Sequence, residues 1–222
     1  MLTAVIADPG RRPLLMLKVG LTGGLASGKT FAAGLLAEHG CHVIHADRLG
    51  HEALLPDSEA YPAVIQEFGC DILRADGEID RKILGKLVFS DPERLEVLNS
   101  LVHPYVFRRQ EEFFTRVAAD DPAGVAVVEA AIMIEVGSYK RYDRLVVTYC
   151  APEQQIERFL EREGGSEEDA RARLARQMPL AEKRNYADYI IDTSGSKQDT
   201  ARGVEQVYRK LHAEARAAAM AR

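Results

Sequence analysis

The 222-residue chain reads as an α/β protein: a parallel sheet of five strands with helices on both faces. Three observations predict this. Five apolar, β-branched runs are continuous rather than alternating, which is how strands covered on both faces read. Helical stretches with an apolar stripe lie between them. The first run also passes through a glycine-rich turn directly into the first helix, giving a strand, loop and helix in immediate succession.

Taken in order, residues 17–22 form the first buried strand, and residues 30–39 form a helix whose stripe holds Phe31, Leu35 and Leu36, with Gly40 as its stop. The second run, 41–46, ends at Asp47, and the later strands fall at 125–128, 145–149 and 189–191. Helical stretches occupy 93–102, 105–118, 152–162 and 200–219, with the dipeptide His103-Pro104 between the first two. Two insertions interrupt the alternation. Residues 52–118 hold amphipathic helical segments and no convincing strand, enough to enclose a substrate. Residues 153–182 form a smaller insertion in which Gly164-Gly165 breaks one helix and Ser166, followed by Glu167, Glu168 and Asp169, caps the next. This suits a mobile flap; an ordinary surface hairpin is the competing reading. The expected organisation is a core of 16–51, 119–152 and 183–222, with the insertions 52–118 and 153–182. Residues 1–15 read as a dispensable extension, because Met16 directly precedes the first strand.

Hydrophobic residues are 46% and charged residues 28% of the chain, so it is neither disordered nor fibrous by composition. With 29 Lys+Arg against 34 Asp+Glu the net charge is -5, which argues against a nucleic-acid coat protein. Cys41, Cys70 and Cys150 are widely spaced and odd in number, so neither a disulfide framework nor a zinc cluster is expected, and a reducing cytoplasm fits. No apolar run approaches the roughly 18 residues of a membrane span, and the N-terminus lacks signal-peptide features. Nucleic acid and membrane are therefore not expected partners, and the oligomeric state is not legible.

The chemistry is carried by Gly23-Gly24-Leu25-Ala26-Ser27-Gly28-Lys29-Thr30, which satisfies G-x-x-x-x-G-K-[ST] between a strand and a helix. Such a loop turns its N–H groups around phosphate oxygens at the positive end of a helix. Lys29 neutralises the β and γ phosphates, and the Thr30 hydroxyl completes Mg²⁺ coordination. The loop alone fits a kinase, a switch GTPase or a motor ATPase. No N-K-x-D guanine-reading motif or ABC-type signature is present, and a helical insertion with an Arg-rich flap favours transfer to a bound acceptor over transfer to water. A related nucleoside or nucleotide kinase and a nucleotide-dependent binding switch are the alternatives.

Asp47, at the end of the second strand, opens on the crevice that holds the phosphate loop. It suits a proton acceptor or a holder of a magnesium water, against the plain role of a helix cap. Glu129, ending the third strand run, is a comparable magnesium candidate, against a solvated strand terminus. Arg158 and Arg162 stand four apart on one helix face and so point together, toward a shared anion or into solvent. His45, two residues before Asp47 on the same strand, shares its face and either exchanges a proton or water with it or is a half-buried neutral histidine.

With these residues in hand, the chain from Met16 to about His212 resembles the dephospho-coenzyme A kinase family. The resemblance runs through residues 19–30 (VGLTGGLASGKT), 43–52 (VIHADRLGHE), 77–81 (GEIDR), Val88-Phe89, Leu101-Val102-His103-Pro104, Gln177-Met178-Pro179-Leu180 with Lys183, and 187–192 (ADYIID) with Ser194-Gly195. It implies a nucleoside-monophosphate-kinase-like P-loop core with a CoA-binding helical domain and a small lid. It further implies ATP-dependent phosphorylation, with Mg²⁺, of the ribose 3′-hydroxyl of dephospho-CoA. The implied nucleotide contacts are Gly23, Gly24, Leu25, Ala26, Ser27, Gly28, Lys29, Thr30 and Phe31, with Thr193 and Gly195 near the adenine. Arg158 and Arg162 become lid arginines, Arg81 and His103 lie on the acceptor side, and Asp47 is the catalytic carboxylate. The chain departs from the family pattern at Ala26 (usually glycine), His45 (usually aspartate), Thr193 (usually asparagine) and residues 130–135 (usually a Pro-Leu-Leu run). At Ala26 a negative φ would keep the backbone N–H in its phosphate-binding role.

Overall fold

The computed structural model describes residues 16–220. The extension expected at residues 1–15 lies outside the described residues. Its five strands are β1 (Leu17–Thr22), β2 (His42–His45), β3 (Val125–Glu129), β4 (Arg144–Tyr149) and β5 (Tyr189–Asp192), all parallel in the spatial order β2-β3-β1-β4-β5. The helices are α1 (Lys29–Glu38), α2 (Ala46–Glu52), α3 (Tyr61–Phe68), α4 (Arg81–Phe89), α5 (Pro92–Asp120), α6 (Pro152–Glu163), α7 (Glu167–Leu174), α8 (Leu180–Lys183) and α9 (Lys197–Met220). Among the described residues no helix is long and apolar enough to cross a membrane.

Successive strand residues serve opposite faces of the sheet, as the pleat requires. On one face Leu17, Val19, Leu21, Val125, Val127, Val146 and Ile191 pack against Ala32, Ala33 and Leu36 of α1 and Val204, Val207 and Leu211 of α9. On the other, Ala126 and Val128 meet Phe113, Phe114 and Val117 of α5, while Leu145 and Val147 meet Met133, Ile134 and Leu180. Both faces are covered, so continuous apolar strands were needed. The buried positions of α1 are alanines and Leu36, and Phe31 is 40% exposed. Small side chains let α1 lie close to the sheet; the expectation that Phe31 shares the buried stripe is corrected.

Two further boundaries differ from the sequence reading. β2 stops at His45, and Asp47 sits in the first turn of α2 instead of at a strand end. The strand alternation relating His45 to Asp47 therefore does not apply. The two helices expected around His103-Pro104 are one 29-residue helix, α5, with Pro104 inside it, about 43 Å long at 1.5 Å per residue. Proline forfeits one helical hydrogen bond there. Burial at both ends of α5 offsets the loss: Leu95, Leu98 and Leu101 join a second core with Val64, Ile72 and Leu84, while Phe113, Phe114 and Val117 join the sheet. One helix thus ties the helical insertion to the sheet.

Candidate active site

Leu21, Glu129 and His45 stand level across β1, β3 and β2, so the C-terminal strand ends converge where the loop after β1 begins. That loop is packed from every side. Ser27 Oγ meets Gly24 O and Thr148 Oγ1, each at 2.9 Å, and Thr193 Oγ1 reaches Ser27 O at 3.0 Å. A Cβ on Gly24 would lie 2.4 Å from Gln155 Nε2, so a larger residue here would have to displace the Gln155 amide that holds Leu25. Gly28 adopts φ +81°, the left-handed region that lets the chain turn from loop into α1. Ala26 also has a positive φ, 49°, so the condition of a negative φ at this departure from the family is not met. An L side chain there is strained.

Behind the loop lies a chain of polar contacts. Thr30 Oγ1 donates to Glu129 Oε1 at 3.1 Å, and the other Glu129 oxygen is held by His45 Nδ1. Glu129 is buried, not a solvated strand terminus. Lys29 Nζ reaches Gly24 O at 3.3 Å. Burial pulls the Lys29 pKa down; the Glu129 and Asp47 carboxylates oppose this, while Lys183 and Arg162 push the same way as burial. Asp47 is shifted up from its ordinary 3.8, first by burial and next by Glu129, against the attraction of Lys29, His51 and His45. Asp47 and Glu129 are thus mutually repelling carboxylates with the Thr30 hydroxyl beside them. That set of hard oxygen donors fits a divalent cation that also takes phosphate oxygens. Among the described residues no cluster of three or more His, Cys, Asp or Glu would hold a metal without such help.

The two arginines of α6 do not point together as their spacing suggested. Arg158 Nη2 donates to Thr193 O at 2.6 Å, whereas Arg162 pairs with Glu163 at 2.5 Å and lies within electrostatic reach of Lys29. Thr193 is buried between the phosphate loop and β4, and Gly195 follows Ser194, whose carbonyl accepts from Gln154 at 2.8 Å. Two residues outside the sequence-predicted site grip the loop: Gln155 Nε2 donates to Leu25 O at 2.6 Å, and Gln177 Oε1 accepts from Leu25 N at 3.0 Å. The expected α6–α7 break is present at Gly164-Gly165, with Ser166 and Asp169 closing a reciprocal cap on α7.

Beside the helical insertion, a cavity of about 250 Å³ is lined by His51, Arg74, Glu78, Ile79 and Arg81. Arg74 is engaged with Glu78 at 2.6 Å, while Arg81 is exposed in the first turn of α4 and forms no ion pair among the described residues. His51, another residue the sequence reading passed over, bridges the two regions. Its pKa is lowered by burial and Arg81 and raised by Asp47, so it lies within electrostatic reach of both. His103 belongs elsewhere on α5: its ring packs on Phe107 of the same helix at 5.5 Å, and burial lowers its pKa.

The family model described as dephospho-CoA kinase matches residues 17–199. A dephospho-CoA kinase of Streptomyces avermitilis is 40% identical over 196 residues, covering 88% of this chain and 94% of that protein. One from Aquifex aeolicus is 39% identical, covering 88% and 98%. Among solved structures, a Thermus thermophilus protein superposes with a TM-score of 0.77 at 32% identity, covering 88% of this chain and 98% of that one. The dephospho-CoA kinase from Campylobacter jejuni gives 0.59 at 25% identity, covering 89% and 98%. The phosphate loop, the buried carboxylate of Glu129 at the end of β3 and these likenesses agree, and the chain belongs to the dephospho-CoA kinase family.

Proposed function

We propose that the chain transfers the γ-phosphoryl group of ATP to the ribose 3′-hydroxyl of dephospho-CoA, giving CoA and ADP, with Asp47 accepting the hydroxyl proton. The observation that carries this reading is the coupled set of Lys29, Asp47 and Glu129 between the phosphate loop and the His51–Arg81 cavity. A carboxylate with a raised pKa is a better base than an ordinary one, because its conjugate acid is weaker.

In this mechanism residues 23–31 hold the triphosphate, and Lys29 and Arg162 neutralise charge on the phosphate being transferred. Arg158, Thr193 and Gly195 form the wall on the adenine side. Thr30, Asp47 and Glu129 are the residues that would hold Mg²⁺, which when bound draws charge from the phosphate oxygens. Arg81, on the acceptor domain 52–118, attracts the acceptor's phosphates, and the lid 153–182 excludes water as it closes. Asp47 orients the 3′-hydroxyl and takes its proton as the new O–P bond forms and the bond to the β-phosphate oxygen breaks. His103 has the weakest claim of the acceptor-side residues, since its ring contact is within its own helix. The free thiols Cys41, Cys70 and Cys150 suit a reducing cytoplasm.

The test is ADP release from ATP with dephospho-CoA, AMP, CMP, shikimate or no acceptor. Turnover with dephospho-CoA well above every other arm is expected. Equal turnover with and without acceptor would mean a hydrolase or switch.

A further inference from the structure

Lys183, the last residue of α8, is wholly buried, and its charge is used by none of the steps above. Its ammonium has three donors and three acceptors: Ala131 O at 2.7 Å, Glu135 Oε1 at 2.8 Å and Gly23 O at 3.3 Å. Those partners come from three places. Gly23 opens the phosphate loop, Ala131 lies just past the end of β3, and Glu135 Oε1 also accepts from Met178 N at 3.0 Å in the segment leading from α7 to α8. Ala131 O receives the Thr22 hydroxyl as well, at 3.2 Å, so the last residue of β1 is drawn into the same knot.

The neighbouring carbonyls of the loop make an instructive pair. Gly24 O is approached by Lys29, whose remaining donors are open to a ligand, whereas Gly23 O is approached by Lys183, whose donors are all spent. A lysine with no free donor and no exposed surface cannot bind phosphate or carry a proton. It fixes what it touches, and its charge pulls the Lys29 pKa down without contact. A Cβ on Gly23 would lie 2.1 Å from Thr148 Oγ1, so the loop's first residue is packed from one side while Lys183 holds its carbonyl from another. Leaving this charge buried is costly unless Glu135 compensates it, and the pair costs desolvation that an apolar pair would not.

We propose that Lys183, neutralised by Glu135, is a positioning residue for phosphoryl transfer: it fixes the Gly23 peptide against the segment after β3 and thereby sets the shape of the phosphate loop. This rests on the function proposed above, but its test does not require the acceptor to be correct. Burial lowers the Lys183 pKa, and the Glu135 hydrogen bond and charge oppose that.

The experiment compares the parent with Lys183→Met and with the double variant Lys183→Met/Glu135→Gln, which removes the orphaned charge yet keeps an acceptor for Met178 N. Melting temperature, ADP affinity by calorimetry and steady-state kinetics are measured for each. The single variant should lose melting temperature. The double variant should recover most of it, yet bind ADP at least tenfold more weakly and turn over at least tenfold more slowly, with the KM for acceptor within twofold. A double variant with parental ADP affinity and kcat would reduce Lys183 to a prop of the fold. Failure of both variants to reach the parent's circular dichroism would overturn the proposal too, since the residue would then serve folding as a whole. If the parent bound ADP but transferred nothing to dephospho-CoA, the functional reading would fail while the ADP comparison still decided the role of Lys183.

Discussion

The two sides of the crevice are built differently. Around the phosphate loop nearly every polar side chain already has a protein partner: Ser27 with Thr148, Thr30 with Glu129, Glu129 with His45, Thr193 with Ser27, Gln155 and Gln177 with Leu25. Around the His51–Arg81 cavity fewer contacts are made, with Arg74 held by Glu78, Arg81 exposed and the walls split among α2, α4 and the turn before it. A preassembled donor side needs no reorganisation when phosphate charge shifts, and that is where electrostatic catalysis gains most. On the cavity side Arg81 is instead left with no ion pair among the described residues. Substitutions on the first side should therefore cost turnover, and those on the second should cost substrate affinity.

Lys29→Ala is the severest way to break this division. It should lower kcat by about 10³-fold, the scale on which a site loses a donor to developing charge. Its melting temperature should be unchanged or raised: the folded pKa is lower than the unfolded one, so at neutral pH the buried ammonium opposes folding. A thermal melt beside steady-state kinetics checks both.

The two arginines of α6 sharpen the comparison, since Arg162 pairs with Glu163 within electrostatic reach of Lys29 while Arg158 holds a backbone carbonyl. Arg162→Ala should lower kcat by about 10²-fold with little change in ATP affinity. Arg158→Ala should weaken ATP binding about fivefold, the equivalent of about 1 kcal/mol for one hydrogen bond, and leave kcat within twofold. Identical profiles for the two would return them to a single shared role.

The mildest expectation concerns strain within the donor side. Ala26 holds φ 49°, where glycine carries no Cβ penalty. Ala26→Gly should stabilise the protein by about 1 kcal/mol, read by urea denaturation, with kcat unchanged or higher.

The sequence announced the donor side because its chemistry is local. Residues 23–30 are contiguous, and the strands that aim them are apolar runs that a sheet covered on both faces demands. Legibility failed where a long side chain chose its partner or where packing outweighed pattern. Arg158 and Arg162 share a helical face, yet their flexible ends go to the Thr193 carbonyl and to Glu163. Phe31 fits an apolar stripe, but the closeness of α1 to the sheet favours alanine there. Pro104 reads as a stop, and only the two cores at the ends of α5 show why the helix continues. Gln177 and Lys183 lie 152 and 160 positions from the loop residues they hold, and no spacing rule connects single polar residues over such a distance. His51 was within reach of sequence reasoning, because it stands one helical turn after Asp47 on α2.

The proton acceptor is the centre of this account, and the pH dependence of Asp47→Asn against the parent tests it most directly. Burial and Glu129 raise the Asp47 pKa above 3.8, so in the parent kcat/KM for dephospho-CoA should fall as pH drops through that raised value and protonates the base. Asn keeps the size but cannot take the proton: kcat should fall by about 10² to 10⁴ with that acid limb gone and ADP affinity nearly unchanged. An Asp47→Asn enzyme retaining most of its kcat and its acid limb, beside a His45→Ala enzyme that loses both, would contradict the account and move the base to the histidine.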